Sequence, residues 1–348
     1  MEKQTNKRNY FGALDGLRTF AILLVIVVHI KGGGKYNFSW HGIGQFIDND
    51  LGKGLFLFMV ISGFAMCCGY YEKIIKHTIS LEEFYKKRYI KIWPFFALIC
   101  IIDIIVAPSI DSLKELFANL TLCFGLLPNA NISVVGVGWF LGLVFVFYMI
   151  FPFFCFLLSN KKRAIFAFVV ALVFNILCTN YFFDANHVVK DFDARCNIVY
   201  CSVFFFLGAI IFLYKDILSS FSEKHRWIIL GVCVASLGIC LIIGINTFTM
   251  LLFFSSVLIY AIGDNRNFSV LKNPITKFIS SISMEMFLCH MMFFRVTERI
   301  GVVHLFKNDT ISFLVELIIV LAGTIVFSVV VQRVFTFISG VIKKGRNN

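Results

Sequence analysis

The chain has 348 residues, of which 59% are apolar and only 15% are charged, and its mean hydropathy is +0.85. A soluble domain is about half apolar and about a quarter charged, so this composition excludes one. The net charge of +12 would suit a nucleic-acid-binding protein. However, the basic residues are concentrated in short segments between apolar runs, which is how membrane topology is set. We therefore expect a polytopic all-α membrane protein with no nucleic-acid partner.

The apolar runs predict about ten transmembrane helices. The first run follows a basic start and lacks a small-residue cleavage site after it, so we interpret it as a retained span. The stretch 113–128 is too short and too interrupted to span, and we place it as a re-entrant or interfacial segment. The predicted spans are 12–31, 53–71, 92–108, 138–158, 164–181, 197–214, 227–244, 247–263, 278–296 and 311–338.

The positions of the basic residues support this topology. With both termini in the cytoplasm, 22 of the 32 Lys and Arg residues fall in inner segments and nine fall in outer ones. Counting 113–128 as a span would invert every later loop and remove the asymmetry. We therefore predict a cytoplasmic segment 1–11, a membrane domain 12–338 and a basic cytoplasmic tail 339–348. We place the chain in the cell (inner) membrane.

The first span carries three polar residues that can ionise. Asp15 and Arg18 are three residues apart and can pair on one helix face. Arg18 and His29 are eleven residues apart, or three helical turns, so they share a face and lie ~16 Å apart along the axis. Charges in the hydrocarbon region usually mark function. A topology-setting ion pair and a packed histidine are the structural alternative.

Two later segments also place polar residues on one helix face. Arg88 and Lys91, with Lys87 beside them, provide cations where a phosphorylated cytosolic donor would arrive. The positive-inside rule alone also accounts for them. In the late helix, Ser283 and His290 are seven residues apart and share a face, although a histidine in a helix is often only packed.

Other chemistries lack support. The 11 cysteines lie in or beside apolar runs and form no CxxC pair, so we expect free buried thiols. His29, Cys67 and Cys68 have no spacing typical of a metal site, and we expect no metal. The sequence contains no P-loop, no Rossmann fingerprint, no HExxH and no GxSxG.

Four segments carry motifs that are informative as a set. They are Leu14-Asp15-Gly16-Leu17-Arg18 with His29, Ile61-Ser62-Gly63-Phe64, the basic segment from Phe84 to Pro94, and the late stretch from Ser283 to His290. In this order, over residues 8 to about 296, they resemble the membrane-bound acyltransferase-3 family. This family includes O-antigen and other polysaccharide O-acetyltransferases.

The chain departs from the family pattern at two places. The segment that begins at Trp139 keeps the Trp, Phe and Tyr of the family motif, but Val144 and Phe145 replace its two glutamates. Phe56 stands where an aspartate is common. A mechanism that needs those carboxylates therefore does not transfer to this chain.

The resemblance implies transfer of an acyl group, most often acetyl, from cytoplasmic acyl-CoA to a hydroxyl of a cell-surface or exported glycan. In that reaction His29 would be the general base and Arg18 would stabilise negative charge, with Asp15 orienting the first helix. The acyl group would move directly or through an acyl-histidine relay. The other expected roles are phosphate binding by Arg88, Lys91 and Lys87, and acceptor binding by His290, Ser283 and Trp139.

A transporter or flippase of a glycan or small molecule is the competing class, in which the buried charges would form a proton or substrate path. The absence of an inverted repeat and of Gly/Pro-broken helices in matching halves counts against it. Within the enzyme class, peptidoglycan, a lipid-linked precursor and a small secondary metabolite are alternative acceptors.

Overall fold

A computed structural model describes residues 11–36, 51–127, 132–190 and 192–346, and these residues form helices without a strand. Residues 1–10 of the predicted cytoplasmic segment lie outside the described residues. The helices are α1 (Ala13–Gly33), α2 (Gly52–Ile75), α3 (Leu81–Val106), α4 (Ile110–Thr121), α5 (Trp139–Leu158), α6 (Lys161–Phe182), α7 (Ile198–Leu213), α8 (Lys215–Lys224), α9 (Arg226–Ile243), α10 (Thr247–Ile262), α11 (Pro274–Ser281), α12 (Ser283–Arg299) and α13 (Asp309–Arg346).

Seven of the described helices are long and apolar enough to cross a membrane, or up to nine if each of two bent helix pairs is one span. The segment predicted at 247–263 forms α10, an apolar helix of 16 residues, which is shorter than the ~20 residues of a typical span. The structure thus supports a multi-pass all-α membrane protein. The count of ten and the cytoplasmic termini stay predictions.

The basic segment before the predicted third span is helical and continuous with that span. Ser80 caps α3, because its Oγ accepts a hydrogen bond from the Glu83 backbone amide at 3.0 Å. The helix then runs for 26 residues through Pro94. Arg88 and Lys91 are therefore fixed on a regular helix rather than in a loop.

The stretch that we excluded from the spans forms α4, which has only 12 residues and is ~18 Å long. It is amphipathic. Its apolar side chains Ile110, Leu113 and Phe117 are mostly exposed, and Asn119 is wholly buried. This length agrees with leaving the stretch out of the spans, and its place at the membrane interface stays a prediction.

The closest helix packing joins α2 and α7. A Cβ on Gly208 would lie 2.0 Å from the Val60 carbonyl oxygen, and a Cβ on Gly63 would lie 2.2 Å from the Phe205 oxygen. Only glycine permits this contact between two backbones, as is common where membrane helices pack. Helix α1 packs against α2 in this pair.

The ninth predicted span, 278–296, is wrong as a single helix. It breaks at Ile282 into α11 and α12, which are bent by 70°. One serine hydroxyl at the break bonds to a distant carboxylate, and a second takes up a local hydrogen bond that competes with helix propagation. The Ser280 hydroxyl donates to Asp15 Oδ1 at 2.8 Å, and the Ser283 hydroxyl donates to the Ser280 carbonyl at 2.9 Å. A second bend of 76° separates α7 from α8.

Two ends of the bundle matter for the site. We call one the Arg88 end, where α1 and α12 begin and a cavity brings Arg18 and Arg88 together. We call the other the Trp139 end, where α1, α3 and α12 finish and α5 begins. Arg18 and His29 lie on α1 toward opposite ends.

Candidate functional site

A cavity of about 480 Å³ lies at the Arg88 end between α1, α2, α3, α5, α11, α12 and α13. Three of its lining side chains are the cations Arg18, Arg88 and Lys91. Tyr70 and Tyr148 add aromatic rings to the wall. Clustered cations in a cleft with a low-dielectric wall attract an anionic ligand.

Arg88 is held in place with part of its hydrogen-bonding capacity unused. Its Nη2 donates to the Tyr70 hydroxyl at 2.5 Å, and its guanidinium carbon lies 4.6 Å from the Tyr70 ring centroid and 5.7 Å from that of Tyr148. Its Nε is buried and has no hydrogen-bond partner among the described residues. A buried donor without a partner costs free energy, which a bound anion would recover.

Arg18 reaches the same cavity from α1. Its Nη1 lies 3.6 Å from Asp15 Oδ1, as their spacing predicted. Asp15 is buried and also accepts the hydrogen bond from Ser280 on α11. Asp15 thus ties the first turn of α1 to the break between α11 and α12, and orients Arg18 toward the cavity.

The structure brings two of the three predicted phosphate-binding cations together. Lys91 lines the cavity with Arg88, whereas Lys87 does not. The Lys87 ammonium is about half exposed and pairs with Glu83 Oε1 at 2.5 Å, one turn earlier on α3. One residue corresponds to ~100° around a helix, so Lys87 and Arg88 face different directions.

The helix break adds a further positive feature to the cavity. Helix α12 begins at Ser283, a cavity residue, and none of the side chains that the structure describes caps its first turn. The positive end of its dipole and its free amide groups therefore lie at the cavity, an arrangement that favours anions. Glu285 and Gln332 lie beside it and share a hydrogen bond of 2.8 Å. The sequence interpretation missed this feature, because it treated the span as continuous.

The two histidines meet further along the same helices. His29 Nδ1 lies 2.9 Å from His290 Nε2, and the rings are stacked with centroids 5.0 Å apart. His290 is wholly buried and His29 is partly buried. Neither histidine lines the cavity. The eleven-residue spacing predicted that His29 and Arg18 share a face of α1. It could not predict the contact between α1 and α12, because the two helices are far apart in the sequence.

Hydrogen bonding assigns the tautomers of this histidine pair. His290 Nδ1 lies 2.7 Å from the Phe287 carbonyl, which only accepts, so this nitrogen carries the proton. Its Nε2 is then an acceptor, and His29 Nδ1 must donate to it. The remaining lone pair of His29 lies on Nε2, which can take a proton from a hydroxyl group.

A buried carboxylate braces the helices around the histidine pair. Glu316 on α13 is wholly buried, and it accepts hydrogen bonds from the Tyr36 hydroxyl at 2.6 Å and the Thr297 hydroxyl at 2.7 Å. Tyr36 follows α1, and Thr297 lies on α12 seven residues after His290. Glu316 thus joins the ends of the two histidine-bearing helices.

A cation from a loop lies over Trp139 at the Trp139 end. The Arg195 guanidinium carbon is 5.3 Å from the Trp139 ring centroid. Burial acts to raise the pKa of Asp193, but hydrogen bonds from Arg195 outweigh this effect and lower it. Asp193 therefore stays ionised and holds Arg195 in place. The sequence interpretation counted Arg195 only as a loop charge.

The predicted acceptor residues are distributed over the molecule. Ser283 lines the cavity at the Arg88 end, His290 contacts His29, and Trp139 lies at the opposite end under Arg195. Val144 and Phe145, which replace the family glutamates, are both buried. Within the part of the chain that the structure describes, no group of three His, Cys, Asp or Glu side chains is placed to hold a metal ion.

Comparison with known proteins identifies the family. Residues 11–333 match the acyltransferase domain named Acyl_transf_3, which covers all the cavity and histidine residues described above. No curated protein and no solved structure gives a significant match. The chain therefore belongs to the acyltransferase-3 family and is a multi-pass membrane acyltransferase.

Proposed function

We propose that this protein transfers an acyl group, most often acetyl, from cytoplasmic acyl-CoA to a hydroxyl of a cell-surface or exported glycan, across the inner membrane. The observation that carries the proposal is the arrangement along α1. Arg18 lies in a cationic cavity at one end of this helix, and His29 lies toward the other end, with an Nε2 lone pair that the hydrogen bond to His290 does not use. One helix thus connects an anion-binding site to a base.

The cavity suits the phosphates of acyl-CoA. The Arg88 guanidinium can give two parallel hydrogen bonds to a phosphate, and Lys91 supplies a point charge. The free amides at the start of α12 add uncharged donors. Arg18 lies ~16 Å from His29 along α1, so its role is donor binding rather than stabilisation of charge at the reacting carbonyl.

The histidine pair suits the transfer step. His29 Nε2 takes the proton of the acceptor hydroxyl while its oxygen attacks the thioester carbonyl, and collapse of the tetrahedral adduct breaks the C–S bond. The departing thiolate then receives the proton from His29. His290 accepts the hydrogen bond from His29 Nδ1 throughout, which holds the ring and stabilises its positive charge. In an acyl-histidine relay, the same Nε2 would be the nucleophile.

The first test compares the surface glycans of the native host with and without this gene by mass spectrometry. We expect loss of the mass of one acetyl substituent in the deletion strain. The wild-type gene should restore it, and His29→Ala should not. His187→Ala is the matched control, because His187 is an exposed histidine that pairs with Asp184. Full restoration by His29→Ala would remove the base assignment. Unchanged acylation with altered glycan length or amount would point to transport.

A further inference from the structure

At the Trp139 end, side chains from α3 and α4 hold the segment 132–138 that leads into Trp139. Glu115 Oε2 accepts hydrogen bonds from the backbone amides of Ser133 and Val134, both at 2.9 Å, and from the Ser133 hydroxyl at 2.9 Å. Asn119, which is wholly buried, donates to the Val134 carbonyl at 3.2 Å. Helix α4 thus fixes this short stretch of backbone.

A second carboxylate connects the same segment to the helix that carries His290. Asp103 Oδ2 accepts from the Val135 backbone amide at 3.0 Å, and its Oδ1 accepts from Arg295 Nη1 at 2.7 Å. Arg295 lies on α12, five residues beyond His290. A single carboxylate therefore ties the 132–138 segment to the histidine helix.

The backbone of this segment is strained, and the hydrogen bonds to Glu115, Asn119 and Asp103 hold it in that conformation. Val135 has φ of +53°, in the left-handed region that a β-branched residue rarely adopts. Such a conformation is unfavourable and persists only where its surroundings impose it. The turn that follows closes with a hydrogen bond of 2.6 Å from the Gly138 amide to the Val135 carbonyl, directly before Trp139.

We propose that Glu115 and Asp103 are positioning residues for the acceptor half of the reaction. They hold the 132–138 segment, and with it the start of α5 at Trp139, against α12 through Arg295, which lies five residues beyond His290. This fixes the helix that carries His290, the hydrogen-bond partner of the proposed base His29. This inference rests on the proposed acyl transfer, and it gives α4 a role that the family motifs do not supply.

The test compares Glu115→Ala with Glu115→Gln, which keeps an oxygen acceptor for the segment. Asp111→Ala is the matched control, since Asp111 lies on the same helix, is exposed and pairs with Lys114. Two quantities are measured for each variant. One is acetylation of the host glycan per amount of membrane protein, and the other is acetyl-CoA affinity of the detergent-purified chain.

We expect Glu115→Ala to lower acetylation about tenfold, equivalent to ~1.4 kcal/mol in the barrier, and to keep acetyl-CoA affinity within about twofold. Glu115→Gln should lose less, and Asp111→Ala should match the wild type. Unchanged acetylation in Glu115→Ala would overturn the inference. So would a parallel loss of acetyl-CoA affinity, because a general structural role would affect both ends of the bundle.

A fluorescence measurement separates this inference from the proposed function. The contribution of Trp139 to the emission spectrum is obtained as the difference between each protein and its Trp139→Phe counterpart. We expect Glu115→Ala to shift that contribution and Asp111→Ala to leave it unchanged, whatever reaction the chain performs. An unshifted Trp139 spectrum would show that Glu115 does not hold the segment. If acyl transfer itself were the wrong function, deletion of the gene would leave glycan acetylation intact.

Discussion

The two ends of the bundle use charged side chains in different ways. At the Arg88 end, three cations line an open cavity, and Arg88 keeps a buried N–H without a partner among the described residues. At the Trp139 end, Asp103 and Glu115 hold backbone amides, and Asp103 also pairs with Arg295. One end keeps charge available for a ligand, and the other uses charge to fix its own backbone.

This difference matches the demands of the two halves of the proposed reaction. Binding of a multiply charged donor tolerates small shifts, because Coulomb attraction falls slowly with distance. Proton transfer requires the acceptor oxygen within ~2.6–3.2 Å of the base, so the chain must hold that end rigidly. We therefore expect substitutions at the Arg88 end to change donor affinity and substitutions around the histidines to change turnover.

Substitution of His290 should have the largest effect on turnover. We expect His290→Phe to lower kcat about 100-fold, because His29 Nδ1 loses its acceptor and the ring is free to adopt the wrong tautomer. The KM for acyl-CoA should stay within about twofold, since His290 lies outside the cavity. Steady-state kinetics with purified protein in detergent measure both. His290→Gln, which retains an acceptor, should lose less, and equal losses would contradict a tautomer role.

Substitution of a cation in the cavity should have a smaller effect, and it should change KM rather than kcat. We expect Arg88→Lys to raise the KM for acyl-CoA about tenfold at unchanged kcat, because an ammonium cannot replace the planar, bidentate guanidinium. Lys87→Ala is the paired control, and it should change KM less than twofold, since Lys87 pairs with Glu83 outside the cavity. A larger effect from Lys87→Ala would contradict the separation of these neighbouring cations.

The smallest effect on catalysis should come from a structural ion-pair cluster outside the cavity, between the start of α9 and the segment that follows α10. The Asp264 side chain is wholly buried and pairs with Arg226 at 3.2 Å and Arg266 at 2.9 Å. Burial acts to raise the pKa of Asp264, but the hydrogen bonds from Arg266 and Arg226 outweigh it and hold the pKa well below its usual range. Its stabilisation is therefore complete above pH ~4, where the unfolded carboxyl ionises, and is lost as pH falls toward the folded pKa.

We expect Asp264→Asn to lower the free energy of unfolding by about 2 kcal/mol at neutral pH without changing the KM for acyl-CoA. Thermal unfolding in detergent at neutral and at acidic pH measures the change. The difference between the variant and the wild type should shrink as the pH becomes acidic. A raised KM would show that the cluster belongs to the donor site after all.

Sequence periodicity predicted which residues of a single helix share a face. Arg18 and His29 share a face because eleven residues make three turns, and Arg88 and Lys91 share one for a similar reason. The same geometry could have separated Lys87 from Arg88, which are only one residue apart. The contact between His29 and His290 joins positions 261 residues apart, so it depends on packing that no local pattern contains.

The helix break at Ile282 was hidden for a different reason. No Gly or Pro occurs there, and the stretch around it is apolar enough to pass for a continuous span. One hydrogen bond at the break joins Ser280 to Asp15, which lies 265 positions earlier, so no local pattern contains it. The contacts of Glu115 and Asp103 were hidden similarly, because each side chain bonds to a backbone segment that follows it by more than fifteen residues, and the position of Asp103 near a span end was explained by snorkelling alone.

Because Arg18 and His29 lie on one unbroken helix, α1 sets the distance between the site that binds the donor's anionic part and the base. Their spacing of ~16 Å along the axis cannot change without breaking the helix. A donor whose acyl group is attached next to its phosphate, such as an acyl phosphate, would bind at the cations and leave its carbonyl far from the base. Only a donor that separates its anionic part from its acyl group by a long, thin arm can satisfy both ends. The chain would thus select its donor by the distance between the donor's anionic part and its acyl group.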